Sequence, residues 1–571
     1  MKRLLLPILT FFFGATSLCA QDFETAQEAV GKMGPGWNLG NTLDAHNGKR
    51  MTDIVASETT WGQPVTRPEL MKMMKDAGFG AIRVPVTWYP HMNDAGVVDA
   101  AWMKRVHEVV DYVINEGMYC VLNVHHDTGA DNDSHKSWLK ADASVYTNVK
   151  TRYENLWRQI ANEFKDYGEQ LLFEAYNEML DSHNSWCYAS FAASSYSSTS
   201  AAASYKAIND YAQSFVNVVR ATGGNNAKRN LVVNTYAAAC GYGTWSQYLQ
   251  DPLKKMQLPD DPTGKGHILF QVHSYPNLDN LTSAKKEIDG TITNLKTHLV
   301  SKGAPVIIGE WGWTASDGQD YYKDDREKVL DFASYMVKKA KAAGMVPFFW
   351  MGLSDGTSRT LPAFTQPDLA ETIVKTWRGD DFEGTYPVID DYELTYKVKY
   401  TGDWQELNLV SSSFSLSNYK GIRVLLKKGT NTNAVQIKCY GGNGKEQYGA
   451  VTRIPEFTLN FNASTLGTSV SRVTLQTCKG AQEVTVEGAY LIKKDNTEEK
   501  LSAFSPFWGC TVELISVPLG IESPAMGNIA SDERIFNLQG QQVDVPTTPG
   551  IYIKGGKKYY YHPKNSNSWM K

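Results

Sequence analysis

The segments Leu171 to Glu178 (LLFEAYNE) and Pro305 to Gly312 (PVIIGEWG) each place a glutamate at or near the end of an apolar run. A buried strand that delivers a carboxylate at its C-terminal end is how a parallel barrel presents catalytic groups. Charged side chains are seldom buried unless they are paired or functional, and neither Glu178 nor Glu310 belongs to a solvated charge run. A matched pair of carboxylates points to acid/base chemistry.

Six more runs of the same character lie around these two: Gly36 to Asn41 (GWNLGN), Ala81 to Trp88 (AIRVPVTW), Tyr119 to His126 (YCVLNVHH), Asn230 to Tyr236 (NLVVNTY), Ile268 to Tyr275 (ILFQVHSY) and Met345 to Gly352 (MVPFFWMG). Between them, Arg67 to Ala77, Trp102 to Glu116, Tyr153 to Phe164, Tyr205 to Ala221, Ile288 to Ser301 and Arg326 to Ala343 have apolar residues at helical spacing. Glycines just ahead of several strands, as in KDAGFGAIRV and SKGAPVIIGE, read as helix stops. Eight strands alternating with helices predict an α/β fold, a (β/α)8 TIM barrel over residues 21–380. The stretch Ala189 to Ser204, low in complexity, lies in a long loop after the fourth strand, where a loop usually shapes a cleft.

After Gly379 the pattern becomes strand-like without helices, as in Tyr392 to Tyr400 and Val484 to Ile492, which predicts a β-sandwich over residues 388–520. Asp380 to Asp391 reads as the linker. A polar stretch, Ser523 to Asp532, leads to a short β tail within residues 524–571, hairpin-like over Ile535 to Tyr561. In the sandwich, Trp404, Tyr440 and Trp508 are the aromatics that a carbohydrate-binding surface would use; aromatics on strands are usually core, which favours a packed accessory domain.

The N-terminus has Lys2 and Arg3, an apolar stretch from Leu4 to Gly14, and small or polar residues up to Ala20, the pattern of a secretory signal peptide over residues 1–20. Leu18 ahead of Cys19 does not suit a lipid-attachment site. The expected location is therefore secreted or at the cell surface. No segment is long and apolar enough for a membrane span. A net charge of −4 over 571 residues gives no electrostatic case for nucleic acid. The six cysteines after Cys19 have no metal-ligand spacing; a disulfide between Cys187 and Cys240 is one expectation, since both follow strands on the same barrel face.

At the predicted strand ends the chain gathers Asn38 and Asn41, Arg83 and Trp88, His125 and His126, Asn177 and Glu178, His273 and Tyr275, Glu310, and Trp350. A barrel end needing only stability could be capped with aliphatic and small residues. Each residue has a plainer reading: either glutamate could be an ion-pair partner of Arg83, Trp350 could be core, and His125 and His126 could ligate a metal with Asp127. No spacing supports a metal set, so no metal or cofactor is expected. Gly34-Pro-Gly36-Trp-Asn-Leu-Gly40 misses a dinucleotide fingerprint because its third glycine is displaced and Pro35 removes an amide.

The ordered motifs GWNLGNTLDA, IRVPVTW, LNVHHD, FEAYNE, QVHSYP and VIIGEWG resemble those of glycoside hydrolase family 5, among the retaining (β/α)8 glycosidases, over roughly Gln21 to Gly379. ETTWGQP and the opening motif are most similar to its bacterial endoglucanase branch. The resemblance implies a secreted endo-β-1,4-glucanase acting by double displacement, with Glu178 as acid/base and Glu310 as nucleophile. It further implies that Arg83 holds Glu310 charged, Tyr275 donates to it, Asn177 binds the sugar 2-hydroxyl, His125 and His273 orient substrate or acid, and Trp350 stacks under the sugar. Asn38 and His126 complete the supporting set. Xyloglucanase, β-mannanase or xylanase activity is the nearest rival, set by loop residues such as Trp61, Trp138 and Trp186; a non-catalytic polysaccharide-binding protein is a rival of another class. Met179 stands where many members have proline, which alters the following loop rather than the chemistry. The expected partner is a plant cell-wall β-glucan, met by a monomer. The tail resembles C-terminal sorting domains of exported Bacteroidetes proteins, which implies contact with secretion machinery.

Overall fold

The computed structural model describes residues 23–132, 135–264, 266–501 and 504–518, together with five short strands beyond residue 534. The expected signal peptide and the polar stretch from Ser523 to Asp532 lie outside the described residues.

Eight parallel strands close into a barrel: β1 (Gly36–Asn38), β2 (Ala81–Val84), β3 (Tyr119–Asn123), β4 (Leu171–Glu174), β5 (Leu231–Ala239), β6 (Ile268–Ser274), β7 (Val306–Trp311) and β8 (Val346–Phe349), with β8 paired back onto β1. All eight expected strands are present, and most are shorter than the apolar runs that announced them. β4 stops at Glu174, so Glu178 stands on the segment beyond it, while Glu310 lies inside β7. The cause is a change of partners: past Glu174 the backbone is held by single bonds from the Ala175 amide to the Val232 carbonyl and from the Asn177 amide to the Val124 carbonyl.

Helices between strands form an outer ring with one apolar face each. In helix Pro68–Ala77, for example, Leu70, Met71, Met73, Met74 and Ala77 are buried, and Gly78 ends it at φ +108, a left-handed conformation that residues with a Cβ avoid. The stretch expected as loop from Ala189 to Ser204 is loop only in part. Helix Ser198–Ala221 begins within it, because the Ser197 side chain caps the Ser200 amide and the alanines that follow favour helix.

The end of the barrel opposite the predicted site is closed by helix Ala26–Met33, which opens with a capping box between Thr25 and Glu28. Its buried face, Ala26, Ala29, Val30 and Met33, packs with the inward residues Val121, Leu172, Val232, Leu269 and Ile307 as one cluster.

The C-terminal part contains two antiparallel sheets in the manner of a β-sandwich. One runs in the order Glu446–Tyr448, Val435–Gly441, Ser469–Thr477, Glu406–Val410, Ser505–Trp508; the other runs Glu456–Asn460, Tyr419–Leu426, Gln482–Lys493, Tyr392–Tyr400, Cys510–Pro518. The packing expected for these aromatics is found in part: Tyr440 is half-buried with its hydroxyl on Glu406, whereas Trp404 is 50% and Trp508 57% exposed, because neither points into the inter-sheet core. A second compact unit, residues 391–393 with 517–571, contains a five-stranded antiparallel sheet that includes Gly550–Lys554 and Lys557–Tyr561. Among the described residues no helix is long and apolar enough to cross a membrane.

Candidate active site

Arg83, on β2 and fully buried, organises the mouth of the barrel. Its Nε and Nη2 donate to the two oxygens of Glu174 at 2.7 and 2.8 Å. Its Nη1 donates to Glu310 Oε1 at 2.7 Å and to Asn38 Oδ1 at 3.0 Å, and Nη2 also reaches Asn177 Oδ1 at 2.8 Å. Burial alone would raise the Glu174 carboxyl, but the Arg83 charge and its hydrogen bonds overcome that and hold Glu174 below the usual range.

Glu174 was not expected, although it lies inside LLFEAYNE. Asn123 and Asn234 both donate to its Oε1 at 3.2 Å. Asn38 donates to the carbonyls of Gly309, Phe348 and Phe349 and is fully buried, so it fixes strands rather than touching a ligand.

Glu310 is 5% exposed. The β6–β7 ladder slips between Val272 and His273, and the β7–β8 ladder slips between Ile308 and Trp311. These irregularities flank Glu310 and turn it inward. Tyr275 donates its hydroxyl to Glu310 Oε2 at 2.7 Å. Burial pushes the Glu310 carboxyl up, against the pull of His273, Arg83 and the Tyr275 hydroxyl. Arg83 and Tyr275 both favour the charged form of Glu310, as expected of them, but the guanidinium is shared: Glu174 takes two of its hydrogen bonds. Burial, Glu310 and Glu178 together push the Tyr275 phenol well up, so it stays a donor.

His273 links the two glutamates, with Nδ1 at 2.8 Å from Glu178 Oε1 and 3.4 Å from Glu310 Oε2. One oxygen of each glutamate and the His273 nitrogen lie within 4.8 Å of one another. His125 is buried; burial first, then His126 and Arg83, hold it well below the ordinary imidazole range, so it is neutral. Its ring lies parallel to Trp350 at 5.7 Å between centroids.

Two pockets meet at Glu178 and Trp186. One, of about 470 Å³, is lined by His46, Trp61, His126 and His135 among others. The other, of about 440 Å³, includes Tyr242, Trp245, His273 and Tyr275. In the wall of the second, Ala237 and Ala238 sit at φ +55 and +49, strained for residues with a Cβ. Trp61 and Trp186, exposed at 37% and 45%, line the cleft as expected. Trp138 does not: its Nε1 donates to Asp127 and its ring lies under Arg152, packed against the core. Trp88 is also core, and Asn41 occupies a left-handed turn at φ +62.

Among the described residues, two groups have ligand-type atoms close enough for a metal: Asp44 with His125 and His126, and Glu178 with His273 and Glu310. Asp127 belongs to neither, because its oxygens accept the amides of Trp88 and Tyr89. The expected disulfide is not formed: Cys187 and Cys240 are free thiols that line the second pocket.

Residues 44–355 match the family model for Cellulase (glycosyl hydrolase family 5). The chain is 34% identical over 343 residues to Endoglucanase B of Neocallimastix patriciarum, covering 57% of this chain and 64% of that enzyme, so it spans less than two thirds of that relative. It is 31% identical to Endoglucanase B of Clostridium cellulovorans, covering 60% of this chain and 73% of that one. Among solved structures it is similar to a broad specificity endoglucanase from an uncultured bacterium, at 56% identity and TM-score 0.62, over 64% of this chain and 98% of that one. It is also similar to a family 5 enzyme from Prevotella bryantii crystallised with a xyloglucan tetradecasaccharide, at 40% identity and TM-score 0.56, over 62% and 99%.

Proposed function

Because the chain belongs to glycosyl hydrolase family 5, and is a glycoside hydrolase, we propose that it is an endo-acting β-1,4-glucanase that cleaves within the chain and retains anomeric configuration. The observation that carries this is the placement of Glu178 and Glu310, with oxygens within 4.8 Å of each other, and of Glu178 where two pockets meet. Retaining enzymes hold their carboxyl groups about 5 to 5.5 Å apart, whereas inverting ones leave room for a water, at about 6.5 to 9.5 Å. A cleft open on both sides of the scissile bond admits the middle of a polymer.

Glu310 attacks the anomeric carbon as the glycosidic C–O bond breaks, and Glu178 gives its proton to the departing oxygen. A water then enters; Glu178 takes its proton, and the hydroxide oxygen displaces Glu310 from the same carbon. Tyr275 steadies the charge on Glu310, and its bond weakens as the glycosyl ester forms. Asn177, oriented by Arg83, binds the sugar 2-hydroxyl. Trp350 offers an indole face to the ring, with His125 as a neutral hydrogen-bonding partner beside it.

The preferred polymer is set by the cleft walls, Trp61 on one side, Trp245 on the other and Trp186 between them. Branched xyloglucan is a second reading, favoured by the oligosaccharide held by the Prevotella bryantii relative. A side-by-side assay on carboxymethylcellulose, lichenan, xyloglucan, mannan and xylan decides among them, and turnover only of mannan or xylan would overturn the glucanase reading. The signal-like N-terminus supports export to the cell surface or medium, which fractionation of a producing culture would test.

A further inference from the structure

The sandwich presents a second array of sugar-type contacts that the barrel chemistry leaves unused. In the sheet containing Val435–Gly441, Ser469–Thr477 and Glu406–Val410, side chains alternate between two faces. Leu407, Ile437, Cys439, Val473 and Leu475 are buried as core. The residues between them share the opposite face: the register sets Gln476 between Gln436 and Glu406, Thr474 between Lys438 and Asn408, and Trp508 beside Glu406.

This outer face is not a loose solvated surface. Glu406, only 4% exposed, accepts hydrogen bonds from the hydroxyls of Tyr440 and Thr474 at 2.7 and 2.8 Å and from Gln476 at 3.0 Å. Lys438 lies 3.3 Å from the same carboxylate and 3.1 Å from that of Glu446, so it stands between the two. Gln436 donates to Gln476 at 2.6 Å. The result is a fixed hydrogen-bonding floor. Asn408, 8% exposed, donates to Ser505 but leaves its Oδ1 with no donor.

Aromatic rings stand in solvent at the rim. Trp508 and Trp404 are half or more exposed, and Phe507 is 42% exposed with the Arg472 guanidinium 3.7 Å from its ring centre. Trp404 sits at φ +60, a left-handed conformation that tryptophan rarely adopts, directly before the strand that carries Glu406. Strain that keeps an indole in water is stored where a ligand uses it.

We infer that this face binds a β-linked glycan chain. Pyranose rings with equatorial hydroxyls have flat apolar faces for the two indoles and edge hydroxyls for the amide row. The inference does not depend on which polymer the barrel cleaves.

The test uses the full chain with Glu310→Ala to stop hydrolysis, run in native gels containing hydroxyethylcellulose, lichenan, xyloglucan, mannan or xylan. Adding Trp404→Ala and Trp508→Ala is expected to weaken retardation about tenfold in at least one gel. The same two substitutions in the otherwise unchanged chain should leave hydrolysis of a short aryl cello-oligoside and the urea melt of the full chain intact, which shows that barrel and sandwich both stay folded. Retardation that is unchanged by the double substitution in every gel overturns the inference. The hydrolysis panel separately judges the barrel reading.

Discussion

Arg83 grips Glu174 through two near-parallel hydrogen bonds, Nε to Oε2 at 2.7 Å and Nη2 to Oε1 at 2.8 Å, leaving Nη1 to reach Glu310. The bidentate pair makes Glu174 the anchor of the guanidinium and Glu310 its dependent.

Glu174→Gln is therefore expected to release Arg83 and disturb both Glu310 and Asn177. Breaking a buried ion pair on one side costs about 3 to 5 kcal/mol. Urea denaturation should show that loss, and kcat should fall more than KM changes. A variant as stable and as active as the parent would show that the pair anchors nothing.

Tyr275→Phe removes the donor to Glu310 Oε2. A hydrogen bond to a charged group is worth about 1.5 to 3 kcal/mol, so kcat/KM should fall roughly 10- to 100-fold. The pH profile gives the sign. Activity needs ionised Glu310 and is lost as pH falls through its pKa; burial already places that limb above the ordinary glutamate range. Loss of a bond that favours the carboxylate moves the acid limb to still higher pH. A limb that stays in place or moves down contradicts the contact.

Glu310→Ala should lower turnover by on the order of 10^4 or more, and azide should restore part of it with inverted configuration, read by NMR of the anomeric product. Glu178→Ala should keep activity on aryl glycosides whose leaving group departs without protonation. If the two variants behave the other way round, the assigned roles exchange.

Stability should fall in mild acid. His91, bonded to Ser57 at 2.7 Å and stacked on Trp102 at 3.8 Å, is lowered by burial from 6.5 to about 4. His46 is lowered to about 3 by burial, then by His126 and His135. The unfolded chain takes up protons near pH 6.5 and the folded chain does not. Their stabilisation is therefore full above that pH and is lost as pH falls toward the folded values. Urea melts across this window should show a shallower slope for His91→Gln than for the parent.

The strands and the two strand-end glutamates were legible in the sequence because burial on both faces of a parallel strand leaves long apolar runs in which a carboxylate stands out. Glu174 stood in the same run and was passed over. Its partner is set by barrel closure between β2 and β4, a relation across about ninety residues that no local pattern records. Trp61, Trp138 and Trp186 look alike in sequence; only the folded loops show that Trp138 turns to Asp127 while the others face the cleft. The alternation that identified sandwich strands could not say whether Trp404 and Trp508 lay on the inner or outer face, since a shift of one residue reverses the answer.

Helix Ala26–Met33 makes the barrel a vessel stoppered at its base. The Ala26 amide bonds to the Gly266 carbonyl, and the helix supplies four side chains to the lowest interior layer. Fraying at this base would expose the lowest packed layer of the barrel to water without touching a catalytic group. Substitutions that tighten the helix on that layer are therefore expected to raise the melting temperature and leave turnover as it is.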